Sequence, residues 1–327
     1  MNRLLSNARV LITGGAGFIG SNLVESMLEA GNDVVCLDNF STGRRENLQQ
    51  FFKHGRFRLI EGDIRNYSDC EKAVKDIDYV FHQAALGSVP RSIKDPVSAT
   101  DVNIGGFVKV LFAAKEARVR RFIYAASSST YGDHPDLPKV EDRIGKPLSP
   151  YGITKYADEL FASNFASTYN IDVVGLRYFN VFGRRQDPNG AYAAIIPKFI
   201  LQLLRGEHPV INGDGTITRD FTHVDNVINA NHLAALVEGK EALNQVYNIA
   251  CGESTSINKL FNIIRESLGR FEKGILKIEP LYGPERAGDI KHSLASIQKA
   301  SRLLGYTPIT GIEDGLHATV RWLRENF

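Results

Sequence analysis

The chain has 327 residues, of which 43% are hydrophobic and 23% charged, so its composition is that of a folded globular protein and excludes a disordered or collagen-like chain. The net charge is only +2 and no basic stripe dominates, which argues against a nucleic-acid binder. Three widely spaced cysteines fit neither a disulfide framework nor a metal site and favour a reducing, cytoplasmic compartment. No apolar run indicates a signal peptide or approaches the ~18 residues of a membrane-spanning helix, so we expect no membrane insertion.

The first half of the chain alternates short apolar runs with helical patterns. After the apolar run 10–12, Ile19, Leu23 and Met27 recur at the spacing of one helix face. Further apolar runs lie at 33–37, 57–60, 79–81, 122–124 and 172–176. Near-continuous apolar strands are typical of a parallel sheet that helices cover on both faces. We therefore predict an α/β fold with a Rossmann-like, doubly wound parallel sheet over residues 1–179.

The pattern changes after about residue 180. The segment 184–190 has the composition of a loop, and Asn212-Gly213-Asp214-Gly215 predicts a β-hairpin. Short strands and helices then mix, without an internal repeat or a long linker. We predict a smaller C-terminal α+β substrate domain over residues 180–327, with some segments interleaved between the two domains.

A glycine-rich segment, 13–20, directly follows the first predicted strand and opens the first predicted helix. In that context the pattern is typical of a dinucleotide-binding turn. Gly14 allows the tight turn, Gly17 lets the backbone approach a pyrophosphate, and Gly20 lets the helix pack on the strand. The helix N-terminus offers N–H groups and a partial positive charge to the phosphates.

Acidic residues follow the second and third predicted strands. Asp38 lies 18 residues after Gly20, where a carboxylate that binds the ribose 2′-hydroxyl is expected. A carboxylate there repels a 2′-phosphate and favours NAD over NADP, although Arg44 and Arg45 are near enough in sequence to bind such a phosphate. Asp63 either contacts the adenine amine or is an ordinary turn carboxylate.

Tyr151 and Lys155 are four residues apart in a predicted helix over 151–169, and therefore share one face of it. A phenol with an ordinary pKa of about 10 is a poor base at neutral pH, but a nearby ammonium and a positively charged nicotinamide favour the phenolate. Tyr151 can then take a hydroxyl proton while hydride leaves for the cofactor. Such a pair is usually only a solvated contact, but the glycine segment and the serines 127–129, at the carboxyl end of the fifth strand, favour a catalytic role.

These features together resemble the extended short-chain dehydrogenase/reductase family over essentially the whole chain. Its further segments are matched by Gln83-Ala84-Ala85, Asn103 and the run 177–180. The resemblance implies NAD as cofactor, a nucleotide-diphospho-sugar as substrate, and catalytic roles for Ser127, Ser128, Tyr151 and Lys155. The cofactor contacts that it implies are Gly14, Gly17, Phe18, Ile19, Asp38, Asn39, Ser41, Gly43, Asp63, Ile64, Gln83, Ala84, Ala85, Asn103, Tyr151, Lys155 and Tyr178.

The residues after Ser127 narrow the reaction that the resemblance implies. Family members that dehydrate or decarboxylate carry an acidic residue just after the catalytic Ser or Thr, whereas this chain has Ser128 and Ser129. Without a second acid–base pair, a sugar oxidised at carbon 4 has one obvious fate, the return of hydride. If the 4-keto sugar rotates first, its configuration inverts, so we expect a 4-epimerase. A non-catalytic NAD-sensing protein is the alternative from another class, but such proteins usually lack an intact Tyr–Lys pair.

The resemblance also implies how the sugar nucleotide binds. Ser293 would wall the sugar pocket, where a small residue admits an N-acetyl group and a Tyr restricts the pocket to UDP-glucose and UDP-galactose. We expect the UDP-N-acetylglucosamine 4-epimerase subgroup of polysaccharide pathways, acting on UDP-GlcNAc and UDP-GalNAc or their uronic acids; UDP-glucose/UDP-galactose and UDP-glucuronate are the alternatives. Apolar helix faces imply a homodimer. The predicted substrate contacts are Gly87, Ser88, Val89, Ser129, Asn180, Ala194, Ile195, Lys198, Asn212, Arg219, Arg286, Asp289 and Ser293.

Overall fold

The computed structural model describes residues 3–189, 194–285 and 292–327. The strands within these ranges are β1 (Arg9–Thr13), β2 (Asp33–Asp38), β3 (Phe57–Glu61), β4 (Tyr79–His82), β5 (Arg121–Ser127), β6 (Val173–Tyr178), β7 (Val181–Phe182), β8 (Val210–Asn212), β9 (Thr218–Arg219), β10 (Thr222–His223), β11 (Gln245–Ile249), β12 (Thr255–Ser256) and β13 (Leu281–Gly283). The α-helices are α1 (Phe18–Glu29), α2 (Tyr67–Val74), α3 (Val89–Lys94), α4 (Pro96–Thr100), α5 (Phe107–Glu116), α6 (Pro150–Tyr169), α7 (Ile195–Leu204), α8 (Val224–Leu236), α9 (Ile257–Gly269), α10 (Gln298–Leu304) and α11 (Ile312–Asn326). Short 3-10 helices span Arg45–Phe51, Ser128–Tyr131, Lys240–Ala242 and Lys273–Lys277, and a π-helix spans Asp101–Gly106.

The central sheet contains seven strands in the order β11-β6-β5-β4-β1-β2-β3, all parallel. The chain runs outward from β1 to β3, then crosses to β4 on the other side of β1 and runs outward again. The apolar side chains of α1 and α8 pack on one face, and those of α2, α5 and α6 pack on the other. The predicted Rossmann-like, doubly wound sheet is confirmed, and its near-continuous apolar strands reflect burial from both sides.

Two elements beyond residue 180 belong to this sheet layer. Strand β11 pairs in parallel with β6, with Gln245 opposite Val174 and Ile249 opposite Tyr178. Helix α8 packs against α1 and against β5 and β6. The chain therefore leaves the sheet layer after β6, returns to it for α8 and β11, and leaves it again.

The smaller region has a hydrophobic core of its own. Helices α7, α9 and α11 pack on one another and bury Phe199, Leu260, Phe261 and Leu316 almost completely. Helices α9 and α11 are apolar mainly on their inner faces, the pattern that a helix at a domain surface requires, whereas α7 is apolar along most of its length. Two pairs of short strands, β8 with β13 and β9 with β12, complete this region.

The predicted hairpin at 212–215 is wrong. Strand β8 pairs in parallel with β13, and β9 pairs antiparallel with β12, so the two strands that flank the turn do not pair with each other. The turn itself forms: Gly213 and Gly215 have φ angles of 70° and 75°, and the Asp214 carboxylate accepts the Thr216 N–H at 2.9 Å. The sequence therefore predicts the turn correctly, whereas distant segments of the chain determine which strands pair.

One continuous apolar helical stretch, Pro96–Glu116, comprises α4, the π-helix and α5. Its mean hydropathy of 1.3 over its most apolar window and its 21 residues would allow it to cross a membrane, by length and composition only. In the fold its residues Phe107, Val110 and Leu111 are fully buried in the core beneath the sheet. The buried residues of this stretch pack against α2 and α6, whereas Val97 and Phe112 are exposed.

Candidate active site

A cleft of about 410 Å³ lies at the carboxyl ends of the central strands, and we term it the first cleft. Its position between β1 and β4, where the strand order reverses, is the place where α/β sheets bind ligands. Nearly all the predicted cofactor residues line it. These are Gly14, Gly17, Phe18, Ile19, Asp38, Asn39, Ser41, Gly43, Asp63, Ile64, Gln83, Ala84, Ala85, Tyr151, Lys155 and Tyr178.

The glycine turn has no room for side chains at Gly14, Gly15 and Gly20. Gly14 has a φ of +69°, and a Cβ there would lie 2.7 Å from the backbone of Ala84. A Cβ on Gly20 would collide with the Gly14 carbonyl. Gly17 precedes α1 as its N-cap and supplies no side-chain hydrogen bond, so the N–H groups of the first helical turn are left for a ligand. A diphosphate fits this backbone cradle.

Asp38 stands beside the glycine turn at the end of β2. Its carboxylate accepts the N–H groups of Ala16 at 2.9 Å and Phe40 at 2.8 Å. Burial raises the pKa of Asp38 above its ordinary value, and these two N–H donors oppose the rise. The carboxylate is therefore fixed where it can accept the ribose hydroxyls of a dinucleotide.

The structure gives partners to the two arginines whose role the sequence left open. Arg44 forms an ion pair with Asp187 at 3.4 Å. Arg45 pairs with Glu61, and its guanidinium lies 4.5 Å from the centre of the Phe40 ring. Both arginines are thus engaged with acidic side chains, which agrees with NAD rather than NADP.

Asp63 is held by neighbouring side chains at the rim of the first cleft. Its carboxylate accepts hydrogen bonds from Arg65 Nη2 at 2.7 Å and Asn39 Nδ2 at 2.9 Å. The Arg65 hydrogen bond lowers the pKa of Asp63 to about 2. The side chain is therefore a charged acceptor at neutral pH, and its contact with adenine stays a prediction.

Three of the predicted catalytic side chains line the first cleft: Ser127, Tyr151 and Lys155. Helix α6 begins at Pro150 after Ser149, whose hydroxyl accepts the Gly152 N–H at 3.1 Å. This cap places Tyr151 in the first turn and Lys155 one turn later.

The immediate surroundings of these side chains fix their positions. Lys155 Nζ donates to the Ala125 carbonyl at 2.9 Å, and the Tyr151 N–H donates to Ser92 Oγ at 3.0 Å. Ser127 ends β5, whereas Ser128 and Ser129 lie in the following 3-10 helix and are not among the residues that line the first cleft.

Of two further predicted cofactor residues, Tyr178 lines the first cleft and Asn103 lies behind it. The Tyr178 hydroxyl donates to Gln83 Oε1 at 3.3 Å and accepts from Asn231 Nδ2 at 2.9 Å, and burial raises its pKa to about 12. Asn103 is buried behind the first cleft, where its amide binds the backbone of Leu86 and the Thr154 hydroxyl. Asn103 therefore ties the loop after β4 to α6.

A second cleft of about 990 Å³ adjoins the first between the sheet layer and the smaller region. Asn180 and Val181 line both clefts, so the two clefts adjoin at these residues. Gly87 lines the first cleft, Val89 begins α3, and Arg286 and Asp289 lie outside the described residues. The predicted substrate residues that line the second cleft are Ser88, Asn180, Ala194, Ile195, Lys198, Asn212 and Arg219.

Ser293 is held next to the Thr218–Arg219 strand but is not among the residues that line either cleft. The Ser293 N–H donates to the Thr218 carbonyl at 3.2 Å, next to Arg219. The buried Asp220 carboxylate accepts the N–H groups of Cys251 at 3.0 Å and Ala295 at 3.2 Å. Asp220, which sequence reasoning missed, thus joins three chain segments behind the second cleft.

The loop 183–189 is bound to α1, which borders the first cleft, and also lines the second cleft. Glu25 on α1 forms ion pairs with Arg184 at 2.7 Å and with Arg185 at 2.8 Å. Three residues of that loop, Gln186, Pro188 and Asn189, line the second cleft. The helix that opens on the first cleft therefore also holds a wall of the second.

Sequence reasoning also missed a buried acid at the active site. Asp158 forms an ion pair with Lys155 at 3.2 Å and is inaccessible to solvent. The available signal was its spacing, three residues after Lys155 on the same helix.

The sequence model of the NAD dependent epimerase/dehydratase family matches residues 10–250. The structure of UDP-N-acetylglucosamine 4-epimerase from Methanobrevibacter ruminantium M1, in complex with UDP-N-acetylmuramic acid, is 41% identical, covers 99% of this chain and 100% of that chain, and has a TM-score of 0.92. UDP-glucuronic acid 4-epimerase from Bacillus cereus, solved with UDP-glucuronic acid and NAD, is 34% identical, with coverages of 98% and 100% and a TM-score of 0.86. The UDP-glucose 4-epimerase of Mycolicibacterium smegmatis is 35% identical over 97% of this chain and 98% of its own length.

Proposed function

Because this chain belongs to the NAD-dependent epimerase/dehydratase family, we propose that it is a 4-epimerase of UDP-N-acetylhexosamines, with NAD as its cofactor. Its substrates are UDP-GlcNAc and UDP-GalNAc or their uronic acids. The observation that carries the proposal is the position of Ser127, Tyr151 and Lys155 in the first cleft, which Asn180 joins to the second. A sugar nucleotide bound in the second cleft would present its sugar to these three side chains.

The chain's own residues supply the acid–base chemistry. When bound, NAD supplies reversible hydride transfer at carbon 4 of the sugar. Tyr151 takes the proton of the 4-hydroxyl and returns a proton when the hydroxyl re-forms. Ser127 holds that oxygen, and Lys155, fixed by the Ala125 carbonyl, provides positive charge beside the phenol. Ser128 and Ser129 offer no carboxylate for proton transfer at carbons 5 and 6, which favours epimerisation over dehydration.

The UDP portion is assigned to the second cleft. Arg219 and Lys198 supply positive charge there, and the planar guanidinium of an arginine can bind two diphosphate oxygens at once. Asn180, at the junction of the clefts, donates Nδ2 to the Asp220 carbonyl at 2.9 Å and is held in place by that bond. The nucleotide end is thus gripped firmly, while the sugar must remain free to rotate.

The choice of an N-acetylated sugar rests on Ser293. The Ser293 N–H donates to the carbonyl of Thr218, the neighbour of Arg219, and the side chain of Ser293 is small enough to leave room for an acetamido group. The 41% identity to a UDP-N-acetylglucosamine 4-epimerase supports the same choice. UDP-glucose and UDP-glucuronate are the second candidates, favoured by the likeness to epimerases of those sugars.

The proposal is tested by assaying UDP-GlcNAc, UDP-glucose, UDP-glucuronate and the uronic acid of UDP-GlcNAc with wild-type protein and Ser293→Tyr. We expect the wild type to prefer an N-acetylated substrate, and Ser293→Tyr to lose that activity while keeping activity on UDP-glucose. Ser301→Tyr, on the exposed face of α10, is the matched control. An unchanged preference in Ser293→Tyr would refute the assignment of this residue, and absence of epimerisation on every sugar would refute the function.

We also propose a homodimer in a reducing cytoplasm. Phe112, Ile153, Leu160 and Phe161 are exposed on α5 and α6, and large apolar side chains gathered on neighbouring helices are typical of an interface. The three cysteines are free thiols, as expected in a reducing compartment. Light scattering should give the mass of a dimer, and Leu160→Glu should shift it towards that of a monomer.

A further inference from the structure

The ion pair between Lys155 and Asp158 on α6 is almost completely buried. Lys155 and Asp158 are 2% and 0% exposed, and their charged atoms lie 3.2 Å apart. The second carboxylate oxygen of Asp158, Oδ1, is buried and has no hydrogen-bond partner among the residues that the structure describes. A buried charge with incomplete hydrogen bonding is costly, so a stabilising role alone does not account for it.

Asp158 lies on the same face of α6 as the catalytic pair. Tyr151, Lys155 and Asp158 occupy positions i, i+4 and i+7, which form one stripe along a helix. Seven residues of helical rise separate Tyr151 from Asp158 by about 10 Å. The carboxylate therefore acts on the phenol mainly by opposing the charge of Lys155 between them.

The ionisable groups that face this pair from β4, β5 and β6, among the described residues, are neutral or already paired. Burial lowers the pKa of His82 on β4 to about 3, and burial raises that of Tyr124 on β5 well above its ordinary value. Glu159 is bound to Arg177 of β6 at 2.7 Å. On the elements that pack on the outer side of α6, Asp101 of the π-helix pairs with Arg65 at 3.5 Å. Asp158 is thus the counter-ion that faces Lys155.

Building on the proposed function, we propose that Asp158 is a positioning residue that orients Lys155 and sets the pH at which Tyr151 becomes an effective base. An ionised Asp158 cancels much of the positive field that favours the phenolate, and a protonated Asp158 does not. Burial raises the pKa of Asp158 well above its ordinary value, and Lys155 opposes the rise, so the carboxyl group binds a proton at higher pH than an exposed aspartate does.

Removing the carboxylate should therefore make the phenolate available at lower pH. For charges about 10 Å apart at an effective dielectric constant of about 20, the change amounts to up to about one pH unit. A residue that only supports the fold would lower the rate at every pH without moving the profile.

The test compares holoenzymes of the wild type, Asp158→Asn and Asp172→Asn. Asp172 precedes β6 at the opposite edge of the sheet, so its variant makes the same change of charge far from the site. The pH profiles of kcat and kcat/KM are measured with UDP-GlcNAc. Tyrosinate formation is followed in parallel by ultraviolet difference absorbance, and the Tyr151 signal is isolated by subtracting the Tyr151→Phe counterpart of each protein.

We expect the acid limb of the Asp158→Asn profile and its Tyr151 tyrosinate signal to move to lower pH together, with Asp172→Asn unchanged. An unmoved limb, or an equal shift in Asp172→Asn, would overturn the inference. If Asp158→Asn does not fold, Asp158→Ser is measured in the same way. If the wild type epimerises no UDP-sugar, the proposed function fails, while the tyrosinate titration still decides the role of Asp158.

Discussion

The two clefts are built in different ways. The first lies at the ends of parallel strands, and its glycine turn and acids come from short segments that follow β1, β2 and β3 directly. The second is assembled from α7, β8, β9 and loop segments that are far apart in sequence. In the first cleft, the parallel strands bring together the short segments at their carboxyl ends. The second cleft depends instead on tertiary contacts such as those of Asp220. Under the proposed function, hydride transfer is assigned to the first cleft and substrate choice to the second.

The largest effect is expected where the clefts meet. Tyr151→Phe removes the proton acceptor and should lower turnover by about 10³-fold, while NAD remains bound and is released on denaturation. Tyr156→Phe, one turn away on the same helix, is the control. Steady-state rates and cofactor content after denaturation measure the two effects, and near-normal turnover would remove Tyr151 from its assigned role.

A change confined to the second cleft should separate substrate binding from cofactor binding. Arg219→Met is expected to raise the KM for UDP-sugar by about 10- to 100-fold, because a hydrogen bond to a charged group is lost. NAD content should be unaffected. Arg321→Met, on the exposed face of α11, serves as the control. If NAD affinity fell as much as substrate affinity, the two clefts would not be separable.

A substitution in the first cleft should affect NAD binding and leave substrate binding intact. Gly14→Ala forces a methyl group to 2.7 Å from the Ala84 backbone at a φ of +69°, so the turn must open. We expect NAD affinity to fall at least about 10-fold by fluorescence titration, with UDP affinity little changed. Gly55→Ala, where a Cβ meets nothing within 4 Å, should bind NAD normally. Unaltered NAD affinity in Gly14→Ala would contradict the cradle described above.

The smallest effect concerns acid stability of the sheet layer. His232 on α8 is fully buried, contacts Ser26 of α1 at 3.0 Å, and has a pKa lowered by burial to about 4. In the unfolded chain His232 binds a proton near pH 6.5, whereas in the folded chain it stays neutral until the pH is near 4. Its contribution to the free energy of unfolding is therefore present above pH 6.5 and is lost as the pH falls towards 4. The loss amounts to about 3 kcal/mol.

His232→Gln lacks this titration. Its deficit in unfolding free energy relative to the wild type, measured by urea denaturation, should therefore shrink between pH 7 and pH 4. His317→Gln on α11, in the smaller region, is the comparison. A deficit that stays constant with pH would show that His232 does not titrate on unfolding.

Where side chains are related by local spacing, their positions in the fold could be predicted from the sequence. Asp38 could be located because a fixed number of residues separates it from the glycine turn, and Tyr151 and Lys155 because helical spacing is regular. The predicted hairpin failed because turn residues do not determine which strands pair. Asn103 lies behind the cleft because of packing between distant elements, which spacing in a sequence does not encode. The contact of Asp158 with Lys155 follows from their spacing on α6, whereas the burial of that pair depends on packing against other elements.

Because the chain returns to the sheet at β11, a truncated protein that lacks this strand would have an incomplete sheet. A fragment that ended at residue 179 would keep the glycine turn but leave β6 as an open edge, its residues Val173–Tyr178 no longer paired on one side and no longer covered by α8. Unpaired, apolar edges recruit further strands and aggregate. The nucleotide-binding half is therefore not a module that evolution or engineering can detach at that point; a separable version would have to carry residues 224–249 with it.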